Sequence, residues 1–320
     1  MSILNDIFSL RKMNELRADG LWPTSFYEVA VANIRAIFGY GANDTNSLSM
    51  TNLVSNTGVV AADTTGVGSV REQLAAASYG TDKAIFGYGY TTARTAITSL
   101  VTNTGVVGND VTGVGTGRNA LAAAGYGTDK AIFGYGYTDG GQTAITNLVS
   151  NTGVVATDTA GVGVAKWAMA AASYGGDKAL FGYGYDGDTS VSTINLVSNT
   201  GVVSTDSAGA GTARNGLAAA SYGTDKAIFG YGQGATSRTN LVSNTGVVAA
   251  DVTGVGTARS TLAAASYGGD KAIFAYGRAY TGGLASGTVS NLVSNTGVVA
   301  TDTAIAGTGR SQIAAATYGS

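Results

Sequence analysis

The chain has 320 residues, a formal net charge of −2, 49 glycines, one proline, and neither cysteine nor histidine. Without cysteine there are no disulfides, thiolate nucleophiles or zinc–thiolate sites, and without histidine the commonest acid–base group and metal ligand is gone, so no cofactor or metal is expected. No run of Lys and Arg suits a phosphate backbone, which argues against nucleic acid as a partner, and no apolar run reaches the roughly 18 residues of a membrane span.

Residues 1–20 read as one amphipathic helix. Ser2 suits the N-cap, and Ile3, Leu4, Ile7, Phe8, Leu10, Met13 and Leu16 form a broad apolar face at helical spacing. Gly20 stands where a C-terminal cap would, and Pro23 blocks continuation. The start, MSILNDIFSLRK, lacks the basic opening and small-residue cleavage site of a signal peptide. The helix either packs on the outside of the remainder or docks the protein to another subunit or another copy of itself. The segment 21–33 leads, through an alternating pattern, into a repeat domain over 34–320.

That domain is one unit copied. The marker phenylalanines Phe38, Phe86, Phe133, Phe181, Phe229 and Phe274 recur at steps of 48, 47, 48, 48 and 45 residues, a period that means a propeller or a solenoid. From the turn asparagine to the next phenylalanine, as in Asn56 to Phe86, the distance is 30 in every copy. From phenylalanine to the following turn asparagine it is 18, 17, 18, 18, 15 and 21. All length variation therefore sits in one connection per unit.

Each unit reads as four short strands. The first is Leu74 to Gly80, the second Lys83 to Gly89, with a turn at Thr81-Asp82 between them. The third runs through Asn52–Ser55, and an Asn-Thr-Gly turn folds it back on the fourth, Val59 to Ala62. The alanines of the first strand suit a crowded axis, and Ile85, Phe86 and Tyr88 suit the space between blades. The domain opens on a second strand, Ala36 to Gly41, and closes on an orphan first strand, Ile313 to Tyr318. Joining these two ends completes a sixth sheet and removes an unpaired edge, a device that a ring needs and a solenoid does not. The expected architecture is an all-β, six-bladed propeller closed by N- and C-terminal strands in one blade, preceded by a short α-helical segment.

Within the frame, an acidic and a basic residue recur eight apart: Asp63 and Arg71, Asp110 and Arg118, Asp158 and Lys166, Asp206 and Arg214, Asp251 and Arg259, Asp302 and Arg310. Six copies argue for structural contacts between blades rather than catalysis. Gly66-Val67-Gly68 and Gly87-Tyr88-Gly89 lack the strand–loop–helix context of a phosphate fingerprint. Asp186-Gly187-Asp188 lacks the spaced ligands of a calcium loop and reads as an exposed acidic turn. Asp139, Asp186 and Asp188 are the only carboxylates placed for glycoside hydrolysis.

The variable connections, residues 42–51, 90–98, 137–146, 185–194, 233–239 and 278–290, all leave the same end of the second strand and so share one face. They carry Tyr90, Tyr137, Tyr185 and Tyr280, with Arg94, Arg238 and Arg278, among small polar residues. Tyr and Arg anchor interfaces while Gly, Ser and Asn adapt around them, so these seven are the expected ligand-binding residues.

Arg71 ahead of an apolar strand, strands ending in Gly-Tyr-Gly, and the period just under 50 resemble kelch-like repeats, although the tryptophan of the usual kelch unit is missing. Near-identical GYG units after the leader SILNDIFSLRKMNELRADGLWPT resemble kelch-like repeat proteins encoded by tailed phages of aquatic bacteria. The resemblance implies a non-enzymatic virion component of a tail or fibre, held to other virion proteins through its N-terminal segment. Its loop face would adhere to a glycan or protein on the host surface. A propeller that binds or cleaves carbohydrate is the alternative.

Overall fold

A computed structural model of the protein describes residues 34–234, 236–279 and 286–319, all within one unit, Ala32–Ser320. The expected helix over residues 1–20, with Ile3, Leu4, Ile7, Phe8, Leu10, Met13 and Leu16, lies outside the described residues, as does Tyr280.

The described residues are all-β and contain no helix. Six antiparallel sheets carry the repeat, here numbered I to VI by their middle strands: Arg35–Gly39, Lys83–Gly87, Lys130–Gly134, Lys178–Gly182, Lys226–Gly230 and Lys271–Ala275. The middle strands read Ala-Ile-Phe or Ala-Leu-Phe and are buried along almost their whole length, because strands pair with them on both edges and neighbouring sheets cover both faces. The Ala-rich first strands, such as Ala75–Tyr79, flank one edge, and the third strands, such as Thr98–Val101, flank the other.

Sheet I is assembled from both ends of the described chain. Ala314–Tyr318 pairs with Arg35–Gly39 in the register Arg35↔Tyr318 to Gly39↔Ala314, and sheet II repeats that register as Lys83↔Tyr79 to Gly87↔Ala75. Each first strand also lies against the first strands of two neighbouring sheets, in the order II, III, IV, V, VI, I and back to II.

Two sets of backbone hydrogen bonds follow the same order. In one, the N–H groups of Gln73, Ala120, Ala168, Gly216, Thr261 and Gln312 each donate to the carbonyl of the equivalent residue in the preceding sheet at 2.7–2.9 Å, the Gln73 N–H reaching Gln312. At the other end of the first strands, Gly80, Gly127, Gly175, Gly223, Gly268 and Gly319 donate to the hairpin turn of the next sheet, at Asp129, Asp177, Asp225, Asp270, Ile34 and Asp82, over 2.7–2.9 Å. Ile34 thus serves where aspartates serve elsewhere, since only its carbonyl is used.

The fourth strand differs from expectation. The edge segment after the third strand forms bridges rather than a regular strand, Val54↔Val60 and Thr51↔Thr64 in sheet I. Only sheet VI has a two-residue fourth strand, Thr303–Ala304. Between the two bridges the third strand advances three residues and the edge four, which is a β-bulge. The buried Asn52 amide stabilises the bulge, donating to the Ala61 carbonyl at 3.0 Å and to Asp63 Oδ1 at 2.9 Å. Asp63 also accepts from the Thr308 N–H at 2.9 Å and the Thr308 hydroxyl at 2.7 Å, in the segment that leads into the first strand of the same sheet.

Candidate binding face

The six sheet-to-sheet interfaces repeat one construction. The tyrosine after each middle strand, in Gly-Tyr-Gly five times and in Ala-Tyr-Gly at Tyr276, meets the phenylalanine of the next sheet edge to face, with ring centroids 5.0–5.4 Å apart, Tyr88 on Phe133 being one case and Tyr276 on Phe38 closing the set. In five interfaces the glycine before the tyrosine makes room for that ring, since a Cβ on Gly134 would lie 2.7 Å from Phe181 Cζ, while the sixth has Ala275 at that position. Over each tyrosine sits a buried cation, such as Arg118 at 4.4 Å from the Tyr88 centroid.

The acidic partner of each cation is not the aspartate eight residues before it. Arg71 pairs with Asp110, Arg118 with Asp158, Lys166 with Asp206, Arg214 with Asp251 and Arg259 with Asp302, at 3.7–3.9 Å. Arg310 turns to sheet I, donating to Asn52 Oδ1 and, at 2.7 Å, to the Met50 carbonyl. The aspartate eight residues before belongs to the preceding sheet. Each cation instead meets the aspartate that follows the third strand of the sheet it leads into, so the pairs tie the two ends of one sheet rather than neighbouring sheets. Burial pushes the Asp158 carboxyl up, and hydrogen bonds from Thr116 and Asn147 with the Arg118 charge outweigh it, leaving the group below the ordinary carboxylate value.

The variable loops leave from the end where the hydrogen-bonded residues Gln73 to Gln312 lie, and that face is built in tiers. The first loop residues Ala42, Tyr90, Tyr137 and Tyr185 bridge Ser311, Glu72, Asn119 and Trp167, the residues just ahead of the first strands; Gln233 and Arg278 likewise meet Asn215 and Ser260. Below this tier come the hydrogen-bonded residues, and below those a buried apolar floor, Leu74, Leu121, Met169, Leu217, Leu262 and Ile313.

The structure brings Tyr137 and Tyr185 together through a residue that sequence reasoning missed. Trp167 packs edge to face on both, at centroid distances of 5.9 Å and 5.6 Å, and all three rings are half-buried. A signal was present: Lys166-Trp167-Ala168-Met169 is the one place where the repeated Arg-x-x-Leu becomes Lys-x-x-Met. Tyr90 stands apart, on the Glu72 side of the face.

The expected ligand arginines are already engaged. Arg94 donates to Asp139 of the next loop at 2.7 Å and to Asn119 at 3.0 Å, and lies over the Tyr137 ring at 4.9 Å. Arg238 donates to Thr212 at 2.8 Å and pairs with Asp251 at 3.8 Å. Arg278 pairs with Asp44 of the first loop at 3.6 Å. With Gln142 donating to the Asp186 carbonyl, the Arg94 and Arg278 contacts join neighbouring loops, whereas Arg238 ties its own loop to the repeated frame.

Of the three carboxylates weighed for hydrolysis, Asp139 is committed to Arg94. Asp186 Oδ1 accepts the backbone N–H groups of Asp188 and Thr189, and the Thr189 bond, followed by that of Asp188, holds its carboxyl below the usual value. A general acid needs the opposite shift. No cluster of metal-ligating side chains occurs among the described residues, and no helix among them is long and apolar enough to cross a membrane. Compared with known proteins, the chain matches no family model and no curated protein.

Proposed function

We propose that this chain is a six-bladed, kelch-like β-propeller whose loop face is a non-enzymatic adhesion surface. Each of the sheets I to VI is one blade, and the pairing of Ala314–Tyr318 with Arg35–Gly39 is the clasp. The two cyclic sets of backbone hydrogen bonds and the six equivalent interfaces support that reading.

The observation that carries the function is the aromatic run Tyr137–Trp167–Tyr185, set on the variable face of an otherwise repetitive frame. Aromatic rings with small polar neighbours and little net charge suit stacking on sugars or capture of a protein patch, and do not suit phosphate. With Asp139 and Asp186 tied down as described, binding is favoured over cleavage. The resemblance of the repeats to kelch-like proteins of tailed phages supports assigning the chain to a virion, in a tail or fibre. The segment 1–33 would hold it to other virion proteins, and many copies per particle would multiply a weak interaction.

The test is binding of the full chain to host cells and to an array of surface glycans, beside Tyr137→Ala, Trp167→Ala and Tyr185→Ala combined. Binding should fall at least tenfold while the melting temperature changes little. Unchanged binding by the folded triple variant would refute the adhesive reading. Absence of the chain from purified particles by mass spectrometry would refute the virion assignment.

A further inference from the structure

Six-fold repetition should give the centre of the loop face six equivalent sides, yet it is lopsided. At the tier of cyclic hydrogen bonds, one side carries Gln73 and Gln312, whose carboxamides bond each other at 2.8 Å, Asn119 also donating to Gln73. On the other side the equivalent residues are Ala120, Ala168 and Gly216. Where the glutamines give way to these small residues a cavity of about 260 Å³ opens, walled by Trp167, Asn215 and Gln233 on one side and by Gln73, Gln312 and Thr261 on the other, and floored by the apolar tier. The loop over this side, residues 233–239, is the shortest of the six. All six repeats contribute to the floor, and the unequal residues above it give the cavity its open side.

The lining sets the ligand class. No ionisable side chain among the described residues lines the cavity, so a charged group entering it would lose hydration without gaining a partner. The wall offers carboxamides and an indole; the floor offers methyl and methylene groups. The volume falls below the roughly 300–1,000 Å³ of sites for drug-sized ligands. A small, neutral ring with hydroxyls on its edge and C–H groups on its face meets all of these conditions. We infer that this cavity is the primary subsite of the loop face and takes a single uncharged sugar residue, a hexose or N-acetylhexosamine at the end of a glycan. Trp167 is shared between the cavity and the Tyr137–Tyr185 run, so further sugars of the same chain would extend outward over those rings. The inference rests on the adhesive reading above.

The frame itself supplies a clean variant. Gln73 and Gln312 have φ of 53° and 55°, and Ala168 has 51° and Gly216 63°, so a glutamine adopts this backbone at two equivalent positions already. Ala168→Gln with Gly216→Gln should fill the cavity and leave the fold intact. Trp167 emission, read in a Trp22→Phe background, would be followed while titrating D-glucose, D-galactose, D-mannose, N-acetyl-D-glucosamine and N-acetyl-D-galactosamine. D-glucuronate and N-acetylneuraminate serve as charged counterparts. At least one uncharged sugar should give a saturable change, weakened tenfold or more by the double glutamine variant, and the charged sugars should give none. A response to no uncharged sugar, or one equally strong with the filled cavity, overturns the inference. Host-cell binding by the filled variant separates the two levels. If it equals that of the parent while the aromatic triple variant has lost it, the loop face adheres without this cavity and a protein ligand becomes the better reading.

Discussion

Asn195 Oδ1 is buried and receives no hydrogen bond because Lys166 stands where an arginine stands in the other interfaces. Elsewhere the guanidinium Nη2 donates to the equivalent oxygen, Arg118 to Asn147 at 2.5 Å, Arg214 to Asn240 at 2.6 Å and Arg259 to Asn291 at 2.7 Å. The shorter Lys166 instead donates to Thr193, at 3.1 Å to its hydroxyl, and lies 3.9 Å from Asp206. The interface that holds Lys166 therefore lacks a hydrogen bond that its arginine counterparts make. The site residue and the imperfect contact occupy adjacent positions in the chain.

Lys166→Arg should accordingly stabilise the protein. A buried acceptor left unpaired costs roughly 1–3 kcal/mol, and part of that returns when Nη2 reaches Asn195. The expected gain is about 1–2 kcal/mol, read as a rise of a few degrees in melting temperature. A neutral or destabilising result would mean that the local backbone has already adapted to lysine.

The period and the split unit were legible in the sequence, because repetition multiplies a weak pattern and the first strand Ile313–Tyr318 has no partner within its own repeat. The ion-pair partners were not. Asp63 and Arg71 recur together eight residues apart, but they belong to successive sheets, and closeness in the chain hides that each cation meets the aspartate about 40 residues further on, after the third strand of its own sheet. The loop arginines misled for a related reason: Arg94, Arg238 and Arg278 look spare against the repeat, while their carboxylate and hydroxyl partners come from neighbouring segments. Trp167 lies in the segment ahead of a first strand, outside the variable loops, and only the fold brings that segment to the loop face. The lopsided cavity needed the fold, because Ala168 and Gln73 become equivalent only once the sheets are superposed by the repeat.

The same lysine predicts an alkaline signature. Burial drives the Lys166 ammonium down to about 8 from the ordinary 10.5, against the pull of Asp206. Between those values the unfolded chain holds a proton that the folded chain has released, so this group makes stability rise with pH from about 8 to about 10.5. Below that window its full penalty is present, and the slope vanishes. Tyr88 and Tyr231, pushed up to about 12 by burial, act oppositely above their ordinary value of 10.0, so the lysine effect is best read between pH 8 and 10. Urea titrations of the parent and Lys166→Arg across that range should converge as pH rises. Parallel curves would show that Lys166 keeps its proton.

Gly125→Ser should be mildly stabilising. At its position the other sheets carry hydroxyls that tie the first strands together: Ser173 Oγ donates to the Gly125 carbonyl at 2.8 Å, Ser221 to Ser173, Ser266 to Ser221, Thr317 to Ser266 and Ser78 to Thr317. The sixth link, to the Ser78 carbonyl, is missing because Gly125 has no side chain. An added Cβ would meet that carbonyl oxygen at 3.3 Å and Ser173 Oγ at 3.4 Å, tight but close to what the neighbouring serines accommodate. One hydrogen bond and the loss of glycine's freedom in a strand together predict about 0.5–1.5 kcal/mol. A loss of stability would show that the gap is needed as space.

The last prediction concerns the clasp. Deleting residues 311–320 removes the strand that pairs with Arg35–Gly39, takes Gln312 from its cyclic hydrogen bonds and Ile313 from the apolar floor, and bares a strand edge. The truncated chain should lose cooperative unfolding or melt far below the parent; an unchanged melting temperature would refute closure by the termini. Failure alone could reflect only the loss of ten residues, so a second construction carries the argument. Tyr318 and Arg35 face each other as Tyr79 and Lys83 do, and the latter pair is joined by three residues, Gly80-Thr81-Asp82. Fusing Ser320 directly to Ile34 places Gly319-Ser320-Ile34 in that turn at the native length, and Gly319 already donates to the Asp82 carbonyl as Gly80 does to that of Asp129. A permuted chain with this fusion and new ends opened within residues 233–239 should fold, with a melting temperature close to that of the parent. The break then falls in the shortest loop, and the clasp becomes an ordinary hairpin. If the permuted chain fails to fold while binding and spectra of the parent are normal, the split blade does more than close a ring.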